Sequence, residues 1–148
     1  MASWRAELTR DRVGGRARYA VAALRIVAGL AFIATSTGKF ADRETYLALF
    51  ATLGLPSSSA LVLLTGLVEL IGGVMLVLGL GTRVAALALA ATMAGAIATA
   101  GVALGGPIHL GLAPTLLVIM LILLWTGPGA VALDRRLATT GRHRPRPA

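Results

Sequence analysis

Residues 65–83 read TGLVELIGGVMLVLGLGTR. Nearly all are apolar, yet Glu69 stands in the first third and glycines recur through the rest. A carboxylate in such a run belongs either to the core of a soluble domain or to a membrane span. Composition decides between them. Of 148 residues, 57% are hydrophobic and 14% charged, and the mean hydropathy is +0.83. Soluble domains carry about 25% charged residues. A chain this short also leaves too much surface to hide so much apolar area. Lipid is the second solvent, and residues 65–83 hold most of a spanning helix.

Working outward, four apolar segments each approach the roughly 20 residues needed to cross a bilayer. They are 19–38, containing Arg25; 60–80, containing Glu69; 84–104, without charge; and 108–126, with His109 at its start and Trp125 at its end. Helices are required because lipid offers the backbone no hydrogen-bond partners. The expected fold is all-α, an integral membrane four-helix bundle over residues 19–134. The first run is too long for a signal peptide, and Arg25 interrupts it, so it is expected to be kept. Short turns at 81–83 and 105–107 join the later spans, with Pro107 suited to a first helical turn. In the longer connection, Tyr46, Leu49, Phe50 and Leu53 recur at helical spacing before the stop signals Gly54 and Pro56. This predicts a short amphipathic helix between spans one and two, on the bilayer surface or tucked against the bundle. An ordinary loop is the alternative.

The net charge is +8, and ten of the fourteen Lys and Arg lie in two tails, 1–18 and 135–148. Four spans put both tails on one side, and the positive-inside rule makes that side cytoplasmic. The C-terminal tail lacks apolar periodicity and is expected to be disordered. No aromatic–basic interleaving points to nucleic acid; anionic lipid is the expected contact. The absence of cysteine excludes disulfides and thiol relays within the chain. His109 and His143 make no metal cluster. No nucleophile–base pair is spaced for catalysis, so no catalytic residue and no metal are expected.

The buried charges are the candidate site. Arg25, Gly29, Phe32, Ser36 and Lys39 form one helical stripe, and Thr65, Glu69, Gly72 and Leu76 form another, with Gly66 and Gly73 beside it. Small faces are where membrane helices approach. The simplest arrangement turns Arg25 and Glu69 toward each other, with a depth difference of about 7 Å at 1.5 Å per residue. Lys39 reaching Glu69 from the outer side is the alternative. An intramembrane polar pocket of Arg25, Ser36, Lys39, Thr65 and Glu69 follows, with Gly29, Gly66, Gly72, Gly73 and Gly95 as packing glycines. Ala91, Gly95 and Thr99 form a small-residue face. The charges fit three roles: a pin for helix register, a pocket for a headgroup, small anion or proton, or a snorkelling Arg25 beside a neutral Glu69. Pro114 should bend the fourth span or free a carbonyl, and Trp125 marks the inner interface.

The pieces RIVAGLAFIATSTGKF (25–40), LGLP (53–56), TGLVELIGGVMLVLGLGTRVAALAL (65–89) and TGPGAVALD (126–134) resemble the DoxX family of small four-span bacterial membrane proteins. The second-span piece is the most specific. The resemblance implies a bundle in the bacterial inner (plasma) membrane, with Arg25, Gly38, Lys39, Glu69, Gly72 and Gly73 as family-typical positions. It also implies a link to membrane redox assemblies, since the family name comes from a membrane subunit of a thiosulfate:quinone oxidoreductase. The start of span four, PIHLGLAP, departs from the acidic or aromatic residue common there. The resulting expectation is a non-catalytic subunit, or a component binding a small quinone-like ligand, partnered by lipid and by a homo-oligomer or a cytoplasmic redox enzyme. The alternative is an oligomeric transporter or channel for a small solute or protons.

Overall fold

The computed structural model of the protein describes residues 11–104, 106 and 108–134. The outermost arginines of both tails, the disordered segment expected from 135, the Pro107 turn and the His109 side chain lie outside the described residues. The helices are α1 (Ala17–Ala41), α2 (Arg43–Thr52), α3 (Ser59–Leu78), α4 (Thr82–Ala96) and α5 (Ala113–Thr126). A π-helical turn, Ile97–Gly101, extends α4, and another, Ile108–Leu112, leads into α5. The segments Ala17–Ala41, Ser59–Leu78 and Thr82–Gly101 are long and apolar enough to cross a membrane, and Leu110–Thr126 is a shorter apolar helix. The protein is an all-helical membrane bundle. The first helix is longer than the expected 19–38 at both ends.

Local chemistry sets the helix ends. The Asp42 carboxylate accepts from the Thr45 amide (3.4 Å) and caps α2. The α3 terminus closes on Gly79 at φ +67, with Gly79 N–H bonded to Leu76 O (3.1 Å) and Leu80 N–H to Met75 O (3.0 Å). That is the Schellman pattern, which only a residue tolerant of positive φ completes without strain. Pro114 falls in the first turn of α5, directly after a π turn. The wider turn is the local adjustment that a proline inside a membrane helix demands.

In the bundle, α1 lies along α3 and α4 along α5, while α3–α4 and α1–α5 contacts close the ring. The α1–α3 interface is nearly backbone against backbone. A Cβ on Gly29 would sit 2.7 Å from Gly73 O, and one on Gly73 would sit 2.8 Å from Gly29 O. Gly66 faces Lys39 and Phe40, and Gly72 faces Leu89. Phe32, Leu76, Leu89, Met120 and Leu123 fill the centre. Val27, Leu30, Leu67, Ile71 and Val118 face outward, where acyl chains rather than water are the solvent. Gly95 departs from its expected packing role, because nothing lies within 4 Å of a Cβ built there. Its face borders a cavity instead of a helix.

Gly73→Ala should therefore lower stability by about 1–3 kcal/mol through overpacking against a backbone that cannot yield, whereas Gly95→Ala should show no loss. Thermal unfolding of both variants in detergent checks the contrast.

Candidate functional site

Two buried charge centres occupy opposite ends of the α1–α3 pair. Lys39, in the last turn of α1, donates from Nζ to Glu69 Oε2 at 2.6 Å. Both side chains are largely buried, at 12% and 7% exposure. The ammonium also lies 5.4 Å from the centre of the Tyr46 ring on α2. Gly38 makes room for that ring, since a Cβ there would meet the Tyr46 hydroxyl at 2.7 Å.

Arg25 is elsewhere. It is fully buried, and its Nη2 donates to Val131 O at 3.2 Å. The expected Arg25–Glu69 pair does not form. The expected pairing requires both helices to start from a common plane, but α1 begins well beyond the end of α3. Arg25 consequently faces Gly79, where any Cβ would overlap its Nη1. Gly79 is ten residues from Glu69, or about 15 Å along a helix.

The partners of Arg25 come from a strap after α5. Asp134 is buried and accepts from the Gly81 amide (2.7 Å) and the Thr82 amide (3.1 Å). It caps α4 from across the chain, where α4 has no side-chain cap of its own. Asp134 N–H in turn donates to Gly79 O at 3.0 Å. Asp134 and Asp11 attract the Arg25 guanidinium electrostatically. Asp134 was not among the expected site residues. Its signal was a lone acid just after the last span, in an otherwise basic end.

The Lys39–Glu69 centre borders a cavity of about 490 Å³ between α2, α3 and α4. Thr65 and Glu69 form its polar corner with Lys39, and Leu49, Phe50 and Leu61 line its apolar walls. Ala91, Gly95 and Thr99 line the α4 side. Ala91 and Gly95 are exposed, so the cavity opens sideways through the α4 face. The hydroxyl of Thr65 donates to Val62 O (2.8 Å) and Leu61 O (3.1 Å), and that of Thr99 to Gly95 O (2.8 Å). Both leave acceptor lone pairs for a guest. Ser36 is buried and donates to Ile33 O at 2.8 Å, serving its own helix rather than the cavity. Of the five expected pocket residues, Lys39, Thr65 and Glu69 come together, while Arg25 and Ser36 do not join them.

The DoxX family model matches residues 20–102, more than half of the chain. The chain belongs to the DoxX family. An uncharacterised membrane protein of Mycobacterium tuberculosis is 34% identical over 132 residues, covering 80% of this chain and 81% of its own. CatD of Bacillus subtilis, provisionally named an oxidoreductase, is 40% identical over 76 residues, covering 51% of this chain and 55% of its own. No solved structure gives a significant match. The region matched by the DoxX model contains Arg25, Lys39 and Glu69, whereas Asp134 and the strap lie beyond it.

A double-mutant cycle separates the two pairings. Lys39→Met and Glu69→Gln should show a coupling of about 1–3 kcal/mol, while Arg25→Lys and Glu69→Gln should add to within about 0.5 kcal/mol. Unfolding free energies in a single detergent supply both numbers.

Proposed function

We propose that this DoxX protein is a non-catalytic membrane component that binds a small lipid-soluble ligand of the quinone class beside Lys39 and Glu69, in the service of a membrane redox assembly. The observation that supports this reading is an ion pair bordering a mostly apolar cavity whose α4 wall includes the exposed Ala91 and Gly95. Sites for small ligands combine such apolar walls with a few convergent polar groups. Buried ionisable groups in membrane spans mark functional sites by default.

The residues fit a quinone headgroup. Lys39 has two N–H groups beyond the one given to Glu69, enough to hold a ring carbonyl. The Glu69 carboxylate is an acceptor, suited to a ring hydroxyl, and can take up a proton beside the reacting oxygen. When bound, a quinone supplies the electron-carrying chemistry that the side chains lack. Leu49, Phe50 and Leu61 keep water from the headgroup, and the sideways opening leaves room for a hydrocarbon tail. The sequence has no cysteine, so any thiol chemistry falls to a partner. The provisional oxidoreductase name of CatD agrees with service in a redox assembly.

Decylubiquinone binding to the protein in nanodiscs tests the reading. Gly95→Phe fills the cavity from a position with free space around it, so it should weaken binding by about tenfold or more without lowering thermal stability. Unchanged affinity in that variant would overturn the assignment. Solute flux in liposomes without any quinone binding would instead favour an oligomeric transporter.

A further inference from the structure

The end of the bundle opposite the cavity carries a second surface with its own chemistry. Trp125, in the last turn of α5, is 64% exposed. The Arg12 guanidinium lies 5.9 Å from its ring centre, and the Arg12 side chain is exposed. This position is built rather than accidental. The Arg12 amide donates to Thr126 O at 2.9 Å, which fixes the N-terminal segment across the end of α5. Beneath them, Arg83 is buried and its Nη2 donates to Trp125 O at 3.4 Å. Val118, Leu121 and Ile122 are exposed on α5 seven, four and three residues before Trp125, so they continue its face into the bilayer. Among the described residues, Asp11 Oδ1 accepts from the Gly129 amide and Asp134 accepts from Gly81 and Thr82. At this level the exposed Arg12 guanidinium and Trp125 ring lie together above an apolar track.

We propose that Arg12 and Trp125 form a headgroup seat for an anionic phospholipid, with an acyl chain lying along Val118, Leu121 and Ile122. The phosphodiester oxygens accept from the Arg12 guanidinium and from Trp125 Nε1–H. Charge complementarity selects anionic over zwitterionic lipid, and the aromatic ring holds the headgroup at the depth that indoles prefer. The seat is separate from the cavity and does not depend on what the cavity binds.

The full chain, purified in detergent, can be titrated with phosphatidylglycerol and with phosphatidylcholine and followed by native mass spectrometry. Phosphatidylglycerol should bind about tenfold more tightly or better. Arg12→Gln should abolish most of that preference, and Trp125→Leu should do the same. Arg16→Gln, which removes one equally exposed charge nearby, should preserve it. Equal affinity for the two lipids would overturn the proposal. So would equal damage from Arg16→Gln and Arg12→Gln, which would mean diffuse attraction by the tail, or full competition by inorganic phosphate.

Discussion

The near-contact of backbones at Gly29 and Gly73 governs the rest of the molecule. In lipid, helices gain little from burying apolar surface against each other, so close packing and polar bonds set their pairing. Once these two glycines touch, the register of α1 on α3 has no freedom left. Lys39 comes level with the turn below Glu69, and Arg25 passes the end of α3 to face Gly79. A register shift of one turn would open the ion pair and drive the Arg25 guanidinium into helix backbone. Glycine contacts and charges therefore specify the same alignment, and each makes the other more selective.

The consequence at the tail end is a buried guanidinium that needs acceptors. The strap supplies one by folding Val131 into a left-handed conformation at φ +53, which points its carbonyl at Arg25 Nη2. A β-branched residue rarely adopts that conformation, and its presence indicates that surrounding contacts over-determine it. Asp134 completes the clasp. One carboxylate caps the orphan amides of α4 while lying in the field of Arg25. The same short segment satisfies an uncapped helix end and partly compensates a buried cation.

At the other end the geometry leaves space. The turn at 79–81 holds α3 and α4 together, and they still touch where Gly72 meets Leu89. Beyond that level, α4 presents Ala91, Gly95 and Ala96, which are too small to reach the facing side chains of α3. The gap persists as a cavity, roofed by Tyr46, Leu49 and Phe50 of α2. The small residues expected to join two helices thus border a cavity instead. Glu69 answers the question raised by its place in an apolar run: it faces protein and a charged partner, not acyl chains.

The solvent, the number of helices, their breaks and the faces that carry polar and small residues are legible along the chain. Those properties are local, since hydropathy, the 3.6-residue period, Gly79, Pro56 and Asp42 act through neighbours along the chain. The sequence also marks Glu69 and Lys39 as residues needing partners. The identity of those partners comes from the packing of the helices. Pairing depends on the offset between helices, and that offset is set by contacts such as Gly29 on Gly73, whose partners lie far apart along the chain. The same holds for Asp134 and Gly95: a lone acid becomes a cap, and a packing glycine becomes a cavity wall, only through the three-dimensional surroundings that the fold brings to them.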